Sequence, residues 1–140
     1  MRSFCSFTPG RLIGAAVFLV FLLGGAFSAA AHHSVSGVFD VTKEITVTGK
    51  ITMLEWINPH TFLHVEVPEA SGATTYVFES LPPAFLRRSG VNKEGLLGGK
   101  EVGQTVTIVA NPYRDKPRGG WITRITYADG HFYQLSADTR

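Results

Sequence analysis

Two hydrophobic patterns divide the chain. Residues 12–27 are almost wholly apolar, with Gly14, Gly24 and Gly25 as the only breaks. From residue 45 onward apolar and polar positions alternate, the period of a half-buried strand. Ile45, Val47, Gly49, Ile51 and Met53 form one set; Thr46, Thr48, Lys50 and Thr52 form the other. Gly49 is expected to mark a bulge or bend. The phase changes at Leu54, Trp56 and Ile57 close the segment, and Asn58-Pro59-His60 predicts a turn, because Pro59 steers Asn58 away from helix. A second strand is predicted over residues 62–67. Leu63, Val65 and Val67 make its core face; Phe62, His64 and Glu66 make the other. Ser71-Gly72 marks a hairpin and residues 74–79 a third strand.

Pro82-Pro83 then breaks the sheet. Residues 83–89 predict a short helix with proline in its first turn and Gly90 past its end. Phe85 and Leu86 are expected to bury, and Arg87 and Arg88 to sit at the C-terminal end, where cations are favoured. Residues 93–97 can add another helical turn. A fourth strand follows over 104–110, then a loop over 111–120, a fifth strand over 121–127, an Asp129-Gly130 hairpin and a returning strand over 132–135. Three strands, a short helix and two or three strands give an all-β expectation: a small OB-fold-like β-barrel of five to six strands. Another small barrel, or an open sheet with one helix, has the same element order.

The apolar run changes the domain count. Arg2 and Arg11 precede it and Ser28-Ala29-Ala30-Ala31 follow it. A basic start, an apolar stretch and a small-x-small site are the three parts of a secretory signal peptide. The run is short for a membrane span, which needs roughly 20 apolar residues. The expected division is therefore a signal peptide over residues 1–31 and a barrel domain over 32–140. Cleavage after Ala30 competes with cleavage after Ala31, and a retained segment would be a membrane anchor. The expected location is periplasmic or secreted.

Charge and cysteine content narrow the chemistry. Thirteen basic against eleven acidic residues give a formal charge of +2, and that excess is Arg2 and Arg11. The expected mature chain is charge-balanced, so nucleic acid is not an expected partner. The single cysteine, Cys5, lies in the leader. A disulfide framework and a cysteine-rich zinc site are thereby excluded. Ser34 and Ser80 lack a nucleophile elbow, and Gly98-Gly99-Lys100 lacks the spacing of a phosphate-binding loop. Glu55 and Glu79 could form an acid–base pair, although pairing with Arg87 or Arg88 is the commoner arrangement for such carboxylates.

Four segments carry a resemblance: His32-His33-Ser34, Leu54-Glu55-Trp56-Ile57-Asn58-Pro59-His60, Phe78-Glu79 and Leu86-Arg87-Arg88-Ser89-Gly90. Together they resemble a family of small secreted bacterial proteins catalogued only as a domain of unknown function. The likeness spans nearly all of the expected mature chain; Ile57 departs from the threonine frequent in that family. The resemblance implies export and a small β-barrel, and no established activity.

The histidines supply the chemical hypothesis. With His32 first, its amine and imidazole chelate one metal ion beside His33. With Ala31 first, the amine, two amides and the His33 imidazole give a square-planar nitrogen set. Such sets suit Cu(II) or Ni(II). His60, held by the Pro59 turn, is the expected third ligand from the fold. The metal site is thus His32, His33 and His60, with Cu(II) or Ni(II) as cofactor and no organic cofactor. The alternative is a binding module for an envelope glycan or partner protein, with Trp56, His64, Tyr113 and Trp121 as its ligand face. An enzyme has the least support in the sequence. His131, after the Asp129-Gly130 turn, is expected at the surface.

Overall fold

The computed structural model describes residues 34–99 and 102–135. The expected leader, with His32 and His33, lies outside the described residues. A short helix, α1 (Val35–Val38), opens the fold, capped by Ser34, whose Oγ accepts from the Gly37 amide at 3.1 Å. Six strands follow: β1 (Ile45–Glu55), β2 (Thr61–Glu69), β3 (Gly72–Ser80), β4 (Thr105–Pro112), β5 (Gly119–Tyr127) and β6 (Phe132–Gln134). Two further short helices, α2 (Pro83–Arg88) and α3 (Lys93–Leu96), lie between β3 and β4.

The strands close into an OB-like barrel. β2 pairs antiparallel with β1 and β3, β1 with β4, and β4 with β5. Parallel pairing of Val77–Glu79 on β3 with Gly119–Trp121 on β5 completes the ring. β6 pairs with Arg124–Thr126 of β5, beyond the residues that meet β3. β1 can serve two neighbours because it is long: its first half pairs with β4 and its second half with β2, the hand-over falling at Lys50.

The expected core face of β2 is the observed one: Leu63, Val65 and Val67 are buried, together with Ile51, Phe78, Leu86, Leu96, Ile108 and Ile125. Other expectations need correction. The bulge in β1 is at Thr52, between the pairs Ile51–Val65 and Met53–His64, and not at Gly49. Gly49 has a different reason to be small: a Cβ there would strike the Glu66 carbonyl, so β2 crosses too close for a side chain. The segment expected as a loop over 111–120 is strand at its two ends. Asn111 and Pro112 extend β4, pairing with Trp121 and Gly120, Gly119 and Gly120 open β5, and residues 113–118 leave the ladder. Phe85, expected to bury, is 54% exposed beneath the Arg88 guanidinium. The six-residue helix turns only Pro83 and Leu86 inward.

A second, smaller core lies at one end of the barrel. Phe39, Tyr113 and Trp121 pack together, with Val35, Val38 and Leu81 against them. Phe39 is bridged to Tyr113 through the backbone, and the Asp40 amide donates to the Pro112 carbonyl at 2.9 Å. The chain's entry to the barrel is therefore fastened by both apolar contact and backbone pairing. Asp40 holds the following turn: its Oδ1 accepts from Thr42 Oγ1 at 2.7 Å, and its Oδ2 meets Lys43 Nζ at 3.2 Å. The Thr42 hydroxyl first, and Lys43 second, hold the Asp40 carboxyl down at about 2, against 3.8 for a free aspartate. A lowered acid favours the folded state above the unfolded value and loses that effect as pH falls through the folded one. The stability advantage of the natural chain over Asp40→Asn should thus be full above roughly pH 4 and vanish near pH 2. Urea midpoints of the two proteins across that window check it.

Candidate functional site: a histidine–carboxylate cluster at the barrel end

His60 follows the Asn58-Pro59 turn, immediately before β2. Glu79 lies one residue before the end of β3, opposite Phe62 in the ladder. Two residues before Phe62, His60 reaches diagonally across the hairpin, and its Nδ1 pairs with Glu79 Oε1. An ionised carboxylate has no proton to donate, so the imidazole donates through Nδ1. In the neutral ring this leaves Nε2 as the acceptor. The other Glu79 oxygen receives the Tyr113 hydroxyl at 3.4 Å. Burial, and next the nearby Glu79 charge, push the Tyr113 phenol well above its ordinary value. It therefore remains a donor over the whole working pH range. The His60 ring meets Trp121 edge-on, with centroids 5.5 Å apart.

A second pair stands on the outer face of β1 and β2. His64 Nε2 lies 2.6 Å from Glu55 Oε1. The same argument makes Nε2 the donor and leaves Nδ1 as the acceptor. Along β2 the order is His60, Phe62, His64, all on one side of the strand. Glu79 and Glu55 flank Phe62 from β3 and β1. On the inner face, Thr61 and Ser80 oppose one another beside His60 and Glu79. Both hydroxyls are buried without a hydrogen-bond partner among the described residues.

The structure brings three of the sequence-expected residues together: His60, Tyr113 and Trp121. Tyr113 and Trp121 are only 7% and 6% exposed, packed with Phe39. Two of the four members of the expected ligand face therefore serve as interior packing. Trp56 is half-buried with the Arg87 guanidinium 5.7 Å from its ring centre, and His64 belongs to the separate pair with Glu55. Neither glutamate pairs with Arg87 or Arg88; histidines occupy both. Four cations of the C-terminal half turn to their own chain: Arg114 Nε donates to the Ser36 carbonyl at 3.1 Å, Lys116 covers Tyr113, Arg118 approaches Glu69 at 3.7 Å and Arg124 covers Phe132. His131 is at the surface, stacked on Tyr127 and paired with Asp129.

Among the described residues, no group of three or more His, Cys, Asp or Glu side chains is gathered as a metal cage. His60 with Glu79 is instead a single imidazole held by a carboxylate. A ligating imidazole commonly gives its second N–H to a carboxylate, which fixes the tautomer and orients the ring. Glu79, missed as the His60 partner in the sequence, holds the ring in this way, and its other oxygen accepts from Tyr113.

The fold and site define a small closed β-barrel with three imidazole–carboxylate pairs among the described residues, two of them flanking Phe62. The chain belongs to DUF6152, a family of unknown function, whose model matches residues 19–125. No curated protein and no solved structure matches the chain.

Proposed function

We propose that this is an exported, non-enzymatic metal-binding barrel, taking Cu(II) or Ni(II) through His32, His33 and His60. The observation that carries this reading is the His60–Glu79–Tyr113 relay. It commits Nδ1 to the carboxylate and presents Nε2, the arrangement a metal-ligating imidazole requires. The leader-like residues 1–31 support export to the periplasm or beyond, where a processed terminus would free the chelating amine.

The ligands must be unprotonated, so metal affinity falls as the solution is acidified. The test is Cu(II) addition to protein produced to begin at His32, followed by NMR. One equivalent should broaden the His60 ring resonances along with those of His32 and His33. Broadening confined to the terminal residues would overturn the role of His60.

A further inference from the structure

The bulge in β1 exposes a methionine. Lys50 stands opposite Glu66 and Ile51 opposite Val65. Continued without interruption, that register would set Thr52 opposite His64 on the outer face and turn Met53 inward, opposite Leu63. The extra residue at Thr52 shifts the phase, so that Met53 stands opposite His64 and Leu54 opposite Leu63. Met53 is consequently 45% exposed, whereas Leu54 packs on the core. A bulge that re-aims one side chain is a device found beside functional sites. Here it moves an apolar, polarisable side chain out of the position where burial would favour it.

What Met53 faces gives the exposure a chemical meaning. Directly opposed cross-strand residues hold their Cβ atoms about 5 Å apart, within easy reach of a common atom. His64 Nε2 donates to Glu55 at 2.6 Å, which leaves Nδ1 as the ring's free lone pair. Thr52 Oγ1 donates to the His64 carbonyl at 3.2 Å and ties the bulged residue to β2 at this point. One thioether sulfur and one oriented imidazole nitrogen make a soft donor pair. Thioethers select Cu(I) among the biologically common metals, while Zn, Ca and Mg favour other donor sets.

We propose that Met53 and His64, with Glu55 orienting the imidazole, form a Cu(I) site on the outer face of β1 and β2. It is separate from the Cu(II) or Ni(II) reading of the barrel end and does not depend on it. Two ligands suit a monovalent soft ion that accepts low coordination.

The test uses Ag(I), a redox-inert stand-in for Cu(I), on the protein beginning at His32. The readout is the Met53 methyl and His64 ring resonances, which a metal held at the terminus would leave unmoved. One added ion should shift both signals with the same titration curve. Met53→Leu keeps the size and apolar character of an exposed side chain, so it folds as the natural protein does. It should weaken Ag(I) binding read at His64 by roughly tenfold or more. Stationary Met53 and His64 signals under Ag(I), or an unchanged affinity at His64 in Met53→Leu, would overturn the proposal.

Discussion

Gly119→Ala should open the barrel. Gly119 is the first residue of the parallel pairing that closes the ring, and it adopts φ +119°, a conformation L side chains rarely take. An added Cβ would also fall well inside contact distance of the Val77 carbonyl, on the very strand it must pair with. The backbone conformation alone costs roughly 1–3 kcal/mol. The clash adds to it, because a backbone carbonyl in a ladder cannot swing aside. Losses above roughly 4 kcal/mol come from this short list of mechanisms, and a domain has only about 5–15 kcal/mol in total. Urea unfolding should show a collapse of the midpoint, and Val77–Glu79 should lose amide protection. Gly72→Ala isolates the conformational part. Gly72 has the same φ but nothing within 4 Å of its missing Cβ, so its loss should be the smaller by far. Equal losses in the two variants would show that the β3–β5 approach is not what the glycine serves.

Phe78→Ala should be the next most damaging change. Phe78 is fully buried and sits in the middle of the closure, opposite Leu63 on β2 and Gly120 on β5. Removing a ring from such a position costs roughly 3–5 kcal/mol, the lost transfer energy plus the cavity left behind. Phe85→Ala deletes the same atoms from a site that is mostly in water and should stay within about 0.5 kcal/mol. Denaturant midpoints of the two variants compare these directly. Similar losses would contradict the assignment of Phe78 to the core.

These two positions also mark the limits of sequence reading. The alternation in β1 and β2 showed the strands and the inner face, because a strand's period is local information. The proline-led helix between the third and fourth strands was legible for the same reason. Gly119 and Gly120 read as loop residues, since glycine is a local breaker. Their purpose is the close approach of β5 to β3 and β4, which only the closed ring reveals. The bulge at Thr52 was equally hidden: Gly49 was the expected marker, yet a bulge needs no glycine. Phe39 carries no periodic signal; it is buried because Tyr113, just past β4, and Trp121, on β5, meet it from distant parts of the chain.

The candidate site divides in the same way. His60 could be singled out from the Asn58-Pro59-His60 turn. Its partner could not, because Glu79 reaches it through the β2–β3 register rather than through spacing along the chain. Glu55 and His64 are likewise nine residues apart and joined by register alone. Both glutamates looked like partners for Arg87 and Arg88, which instead lie over Trp56 and Phe85. Charge balance within a sequence says which groups can pair; the ladder decides which do.

The most direct test of the metal reading is Cu(II) electron paramagnetic resonance on the protein beginning at His32, beside its His60→Ala variant and a free peptide of residues 32–39. The protein spectrum should differ from that of the peptide, and the variant spectrum should revert to the peptide's. Coincident protein and peptide spectra would contradict it, leaving the terminal histidines as a chelating tail with no part for the barrel.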